Sequence, residues 1–345
     1  MTHKVLVRDV AIGGGAKISI QSMTNTDTRD ADATIAQILE LEAAGCDIAR
    51  FTVNDKEAAK SIPRIREKTH IPLVADIHYD ARLALLSIEN GIDKVRFNPG
   101  NIGSASKVAV LTRCARLHSV PIRIGVNAGS LEKALLQKYG SPTPDALIES
   151  ALLHVKLLEA QGFYDIVISI KTSSVRDTVI AYRKLSSLVD YPLHIGVTEA
   201  GYGEMALIKS SAALGSLLID GIGDTLRISM TGDPIAEVHA ARKLLSALRL
   251  YNDGIEIISC PTCGRTTGDH LATVKAIEKK LSHIKKPLKV AIMGCVVNGI
   301  GEGREADIGI AFAPNGAVVF KSGTVVFSGS REEAIAALIE HANEL

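Results

Sequence analysis

Short apolar runs rich in Val and Ile alternate, along the first 250 residues, with longer stretches in which apolar positions recur every three or four. The first pattern belongs to strands buried on both faces and the second to amphipathic helices, so their alternation predicts repeated βα units and a parallel sheet. Eight strands are expected, at Ile18–Met23, Ile48–Val53, Leu73–Ala75, Lys94–Phe97, Ile122–Val126, Ile166–Lys171, Leu193–Val197 and Thr225–Ile228. Helices such as Ala33–Ala44 and Leu147–Gln161 lie between them, and Pro72, Pro121 and Pro192 each stand just before a strand. Eight such units in about 230 residues match a TIM-type (β/α)8 barrel, which also removes the edge strands that a doubly wound open sheet would leave. Lys4–Val10 with Gly13–Gly15 predicts a small hairpin capping the N-terminal end of that barrel.

The pattern changes after the helix Pro234–Leu248, and Tyr251-Asn-Asp-Gly254 is a polar turn suited to a linker. Beyond it, strands Ile255–Ser259 and Leu288–Met293 flank a helix Asp269–Leu281. Three close-set strands follow, Ile308–Phe312, Ala317–Phe320 and Thr324–Phe327, with Pro314-Asn-Gly316 and Ser322-Gly323 as turns and Glu332–Ala342 as a last helix. The expected architecture is an α/β chain with a barrel over 1–250 and a small α+β domain over 251–345. Nothing between Leu250 and Ile255 has room for a further domain.

Composition narrows the class. The chain of 345 residues carries 39 Lys and Arg against 38 Asp and Glu, a formal charge of +1, which supplies no global field for nucleic acid or an acidic membrane. Any anion site must be local. Residues Met1 to Val10 carry charges where a signal peptide needs an apolar run, and no stretch approaches 18 apolar residues, so a soluble cytoplasmic protein is expected. Trp is absent and the 13 Phe and Tyr are few, leaving the core to Ala, Val, Ile and Leu. Five cysteines are too few for a disulfide scaffold and odd in number, which turns the question to metal.

Several predicted strands end in a cation. Side chains alternate along a strand, so Lys94, Arg96 and Asn98 share a face, as do Arg123, Gly125 and Asn127, Ser169 and Lys171, and Arg227 and Ser229, while Arg50 ends the second strand in the same way. In a barrel the C-terminal mouth carries the active site. Cations from five strands at one mouth make a local positive well whose natural ligand is a compact polyanion such as a diphosphate, because the Arg fork matches phosphate oxygens. Pairing of each with a nearby carboxylate is the plainer alternative. Asp76, His78, His194, Thr198 and Glu199 are companions at that mouth. Glu199 is the expected proton donor, since a partly desolvated carboxylic acid beside phosphate charge is suited to that task, although it can equally pair with an arginine.

The second domain holds Cys260-Pro-Thr-Cys263-Gly-Arg265 and Gly294-Cys295-Val-Val-Asn298-Gly-Ile-Gly-Glu302, each after a predicted strand. A C-x-x-C turn brings two thiolates to one metal and a third Cys at a strand end can join them. Cys46 and Cys114 fall in predicted barrel helices and read as small buried hydrophobes. A fourth ligand must then come from elsewhere, and Glu302 stands seven positions beyond Cys295 in a glycine-rich loop able to fold back. A structural zinc, with His270 the only nearby imidazole, and a four-iron cluster both remain open on spacing alone.

Taken together, Gln21–Thr26, Leu73–His78, Asn98–Gly103, Ile122–Glu132, Thr198–Gly201, Gly221–Ser229, Cys260–Cys263 and Gly294–Gly299 closely resemble the 4-hydroxy-3-methylbut-2-enyl diphosphate synthases of the bacterial methylerythritol phosphate route to isoprenoids, in order and over essentially the whole chain. The resemblance implies a barrel followed by an iron-sulfur domain, a homodimer in which one subunit's barrel serves its partner's cluster domain, and a 4Fe-4S cluster on Cys260, Cys263, Cys295 and Glu302. It implies reductive opening of 2-C-methyl-D-erythritol 2,4-cyclodiphosphate with loss of water, two electrons coming from reduced flavodoxin or ferredoxin. Matching positions for gripping the diphosphate are Arg50, Arg96, Arg123 and Lys171 with Ser229, and Asn127 and His194 join them at the mouth. Glu199 matches the family's acid, and Asn298 lies in the loop expected to face the substrate.

Overall fold

A computed structural model describes the chain except residues 79, 99–104 and 252–253, and the side chains of 105 and 130. Most of the motif Asn98–Gly103 and the centre of the linker Tyr251–Gly254 therefore lie outside the described residues. The chain divides into two compact units, Met1–Leu248 and Arg249–Leu345.

The first unit opens with strands β1 (Val5–Val7) and β2 (Val10–Ile12), an antiparallel hairpin. Its turn is Arg8–Asp9, with Arg8 at φ +56°, and the three glycines 13–15 follow the second strand instead of closing the hairpin. Then come β3 (Ser19–Met23), β4 (Ile48–Thr52), β5 (Leu73–Asp76), β6 (Lys94–Phe97), β7 (Ile122–Asn127), β8 (Ile166–Lys171), β9 (His194–Ile195) and β10 (Thr225–Leu226). They pair in parallel in the order β8-β7-β6-β5-β4-β3-β10-β9, and a single bridge from Ile168 to Leu193 joins the two ends. A barrel is the result, with no open edge for the doubly wound alternative.

Helices return the chain outside this ring, and their starts follow from local chemistry: Asp30, Thr143, Ser174 and Asp233 each turn a side-chain oxygen onto a free N–H of the first turn. Two strands are shorter than their apolar runs suggest. β9 and β10 stop after two residues, and the pairing continues only as separate bonds, Arg227 N–H to Ile195 O at 3.0 Å and Thr198 N–H to Thr172 O at 3.1 Å. Glycine lets the two backbones approach closely at this point, since a Cβ on Gly196 would lie 2.8 Å from the Arg227 carbonyl. The hairpin seals the lower end, where Val7 and Ile12 pack on Ile48 and Val74.

In the second unit β11 (Ile255–Ser259), β12 (Leu288–Met293) and β13 (Ile308–Ala313) run parallel, and β14 (Gly316–Lys321) and β15 (Thr324–Gly329) add antiparallel. Alternation sorts its two faces. Val290, Ile292, Ile308, Ile310 and Val319 pack under the helices His270–Leu281 and Arg331–Glu344, while Ala291, Met293, Ala311 and Phe320 meet the short helix Val296–Glu302. That short helix is where a glycine-rich loop was expected. Its glycines serve close approach: a Cβ on Gly299 would lie 2.7 Å from that of Met293, and one on Gly303 would lie 2.7 Å from the Phe320 ring.

Candidate active site

Branched aliphatic layers usually fill such barrels. Here they stop one layer up. Two residues beyond Ile48 and Val74 the inward positions are Arg50 and Asp76; Asp76 lies in register with Arg96, and Arg96 with Arg123. Lys171 closes β8 beside Asn127, and His194 stands beside Thr225. Lys94 begins β6 and is fully buried, so it belongs to the floor of the barrel and not to its mouth.

Counting charges shows what the arrangement lacks. Asp76 takes Arg96 at 2.9 Å and Arg50 at 3.8 Å, and Glu237 takes Arg227 through two contacts of 3.1 Å. Among the described residues no ion pair reaches Lys94, Arg123 or Lys171, although they are 0%, 1% and 7% exposed. Lys94 Nζ and two nitrogens of Arg123, Nε and Nη1, have no hydrogen-bond partner either, nor do both amide atoms of Gln21 or Nε2 of His194. A carboxylate partner thus accounts for Arg227 and partly for Arg50 and Arg96, and leaves three buried cations without an ion pair among the described residues, Arg123 with only the more distant field of Asp76.

The electrostatics follow. Burial, then the charges of Arg50 and Arg96, pushes the Arg123 guanidinium well below its ordinary value. Burial, then Arg123 and Arg50, pushes Lys94 and Lys171 down; burial with Arg123 and Lys171 does the same to His194; and burial takes Arg50 to about 10 against the attraction of Asp76. Burial alone would raise Asp76, but Arg50, Arg96 and Arg123 hold it below the usual carboxylate range. Arrival of an anion reverses the penalty on the lysines, so binding takes up protons. Affinity for sulfate, which does not itself titrate near neutrality, should therefore fall as pH rises from 6 to 9, by up to about tenfold per unit for each proton taken up. Calorimetric titration across that range checks it; a flat profile contradicts it.

Beyond the strand ends lies a pocket of about 280 Å³ lined by Arg96, Asn98, Asn127, His78, Thr198 and Glu199 among others. Asn127, with its amide turned to satisfy both ends, accepts from Arg96 Nη2 at 3.1 Å. Gly125 makes room for the same guanidinium, since a Cβ there would stand 2.2 Å from Arg96 Nε. Gly125→Ala should displace Arg96 and weaken diphosphate binding by roughly tenfold or more with little loss of fold stability, which affinity and melting measurements on one sample would show.

Glu199 stands at the pocket with φ +53°, a backbone that costs a non-glycine residue roughly 1–2 kcal/mol. It is exposed, so the chain itself does not desolvate it as the sequence suggested. Ser229 is half-buried, two residues beyond Arg227. Neighbours that sequence reasoning passed over are Lys94 as a floor charge, Gln21 and Glu237. Glu237 carried no signal, because a helix from the far end of the unit brings it to Arg227 and to Ser22 Oγ at 3.1 Å.

The cysteines of the second unit occupy two adjoining loops. Cys260 Sγ accepts the Gly294 N–H at 3.2 Å, and Thr267 N–H bonds Gly294 O at 3.2 Å, which ties the C-x-x-C turn to the strand end before Cys295. Cys295 sits at the N-terminal end of the helix Val296–Glu302, where the N–H of Val297, then that of Asn298, and the Arg265 side chain lower its thiol. Glu302 ends that helix, two turns on and about 20° off the face of Cys295, roughly 10 Å along the axis. Asn298 is exposed on its first turn, and Cys263 is exposed in its own turn. Buried His270 brings Nε2 to 3.0 Å from Ser259 Oγ and 3.9 Å from Cys260 Sγ.

Among the described residues no three such groups converge on one point as a single ion requires. A cluster several ångströms across asks something else of its ligands, a ring of thiolates around a body, and adjoining loops with one activated thiolate fit that donor set. Cys46 is buried just after its helix, bonded to Ile48 O at 3.2 Å, with burial pushing its thiol up to about 12; Cys114 lies within the helix Ala105–Leu117.

Fold and site together define a class: a barrel whose strand ends gather buried cations, in one chain with a sheet unit that carries three cysteines on two adjoining loops. The chain belongs to the GcpE family, matching its TIM-barrel domain over residues 2–242 and the GcpE protein C-terminal domain over 256–344. It is 53% identical over 345 residues to a 4-hydroxy-3-methylbut-2-en-1-yl diphosphate synthase (flavodoxin) of Caldanaerobacter subterraneus subsp. tengcongensis, covering 100% of this chain and 97% of that one. A protein of the same name from Geobacter sulfurreducens is 52% identical over 344 residues, covering 100% and 98%. Among solved structures, a truncated 3-deoxy-D-arabino-heptulosonate 7-phosphate synthase from Thermotoga maritima aligns at a TM-score of 0.53 and 13% identity, over 72% of this chain and 93% of that one. A dihydropteroate synthase from Yersinia pestis aligns at 0.52 and 11%, over 72% and 100%. At such identities these last two share the barrel fold only.

Proposed function

We propose that the chain is a 4-hydroxy-3-methylbut-2-enyl diphosphate synthase, an oxidoreductase that opens 2-C-methyl-D-erythritol 2,4-cyclodiphosphate by two-electron reduction with loss of water. The observation that carries it is the set of buried cations without an ion pair among the described residues, Lys94, Arg123 and Lys171, in a chain about half identical, end to end, to relatives of that name. Arg50, Arg96, Arg123 and Lys171, with Asn127, His194 and Ser229, hold the diphosphate. Charge that develops on the departing phosphate oxygen is met by cations already in place, so the surroundings need little rearrangement. His194, kept neutral by burial and by Arg123, offers a hydrogen bond without adding charge. Glu199, exposed at the pocket, relays a proton to the oxygen that leaves as water.

Cys260, Cys263, Cys295 and Glu302 hold a 4Fe-4S cluster, with Asn298 beside it. When bound, such a cluster supplies one-electron steps and an iron able to act as a Lewis acid. The enzyme works as a cytoplasmic homodimer and draws its electrons from a flavodoxin, the donor in the relatives' name. Among the described residues no helix is long and apolar enough to cross a membrane. Anaerobically reconstituted protein given the cyclodiphosphate and dithionite should convert it to the open-chain diphosphate, read by phosphorus NMR; unchanged substrate over many equivalents of reductant would sink the assignment.

A further inference from the structure

The second unit carries a groove that the chemistry above does not use. It measures about 490 Å³ and runs between the helices His270–Leu281 and Arg331–Glu344, floored by Ala272, Ala276, Ile277 and Ile335. Lys280, Arg331 and Asp269 line it, and Leu271, 59% exposed, Lys275 and Lys279 are exposed elsewhere on the helix His270–Leu281. Between positions 275 and 289 the chain has six lysines and one carboxylate, Glu278, in a protein whose formal charge is +1 overall. Lys275, Lys279, Lys280, Lys285 and Lys286 are exposed, and none of the six makes an ion pair among the described residues. Of these lysines Lys280 lines the groove, and the others lie elsewhere on its helix and in the segment after it, so the apolar floor borders a basic stretch of chain.

One end of the groove leads to the cysteines. Gly268 and Asp269 line it, and His270, next in the chain, stands 3.9 Å from Cys260 Sγ. Arg331 donates to Thr267 O at 3.3 Å and to Thr273 Oγ1 at 2.6 Å, which fixes the groove wall to the segment that also bonds Gly294. We propose that this groove and its lysine frame are the docking surface for the protein electron donor, a partner with an acidic rim around an apolar redox-active edge. The proposal rests on the reductase reading above. An apolar centre with a charged rim is the anatomy of a steered, transient complex: the rim sets encounter and the centre sets lifetime.

The test uses the full-length reconstituted enzyme and a bacterial flavodoxin with FMN bound. Binding is followed by calorimetry at low and high salt, and turnover is measured with dithionite and with reduced flavodoxin in parallel. K275E/K279E should weaken flavodoxin binding at least tenfold and cut flavodoxin-driven turnover alike, with dithionite-driven turnover and oligomeric state unchanged. The same charge reversal at exposed positions of the first unit, K68E/K243E, should have little effect. Equal losses from both pairs would assign the effect to net charge and overturn the surface, as would unchanged affinity in K275E/K279E. A changed oligomeric state would assign the groove to a second copy of the chain and overturn it too. Wild-type enzyme that turns over with dithionite yet binds no flavodoxin overturns the surface alone, whereas absence of turnover with dithionite strikes the reductase reading itself.

Discussion

Arg123→Met should leave the free protein at least as stable as before and still cost it most of its affinity for a diphosphate. The two effects have opposite signs for one reason. Arg123 is 1% exposed, two of its nitrogens have no partner, and the repulsion of Arg50 and Arg96 stands against the attraction of Asp76. Its burial is a cost that no ion pair within the described residues of the free chain repays, and an apolar side chain of similar length fills the same space without it. Comparable replacements of buried charges are neutral or stabilising by about 1–4 kcal/mol. With the anion bound the balance turns, because removing one member of a desolvated, hydrogen-bonded charge pair costs about 2–5 kcal/mol, or roughly thirtyfold to several thousandfold in affinity. Thermal melting without ligand and calorimetric binding of pyrophosphate form the check. A variant that melts lower and binds as well as wild type would show that Arg123 is a structural residue.

Cys295→Ser should strip the reconstituted protein of most of its iron and sulfide and lower turnover by at least about a hundredfold, a larger loss than changes around a metal site usually give. Serine has nearly the same size and is itself a favoured residue at a helix N-cap, so the fold should survive. What it cannot supply is a thiolate, and Cys295 is the cysteine whose thiol the N–H groups of Val297 and Asn298 and the side chain of Arg265 already favour in ionised form. Iron and sulfide analysis, with far-UV circular dichroism as control for folding, separates the outcomes. Full iron content with full activity would remove Cys295 from the cluster and with it the reading of the second unit.

Much of this was legible in the chain. The eight βα units were visible because a strand buried on both faces is mainly Val and Ile, as Ile166–Lys171 is apart from Ser169 and its closing lysine, and because apolar positions three or four apart mark the helices between them. The alternation Arg123, Gly125, Asn127 put three site positions on one face with no knowledge of the fold. Other features were hidden. The run Gly294–Glu302 reads as a flexible loop to anyone counting glycines, and becomes a helix because Gly299 and Gly303 let it lie directly on Met293 and Phe320, contacts that span the sheet. β9 and β10 looked like full strands because composition reports apolarity and not how long two backbones can stay paired.

Order, periodicity and residue type were enough to establish a barrel, a trailing sheet unit, a set of cations and three candidate thiolates, since each depends on interactions within a few residues or on a repeat that local geometry imposes. Which cations lack a partner is another matter. Asp76 pairs with Arg96 and Arg50 because neighbouring strands set them side by side, and Glu237 pairs with Arg227 because the helix Pro234–Ala247 folds back over its own strand, whereas Lys94, Arg123 and Lys171 are left without an ion pair among the described residues. Charge balance in a low-dielectric interior is a sum over neighbours in space, and those neighbours exist only once the chain has folded.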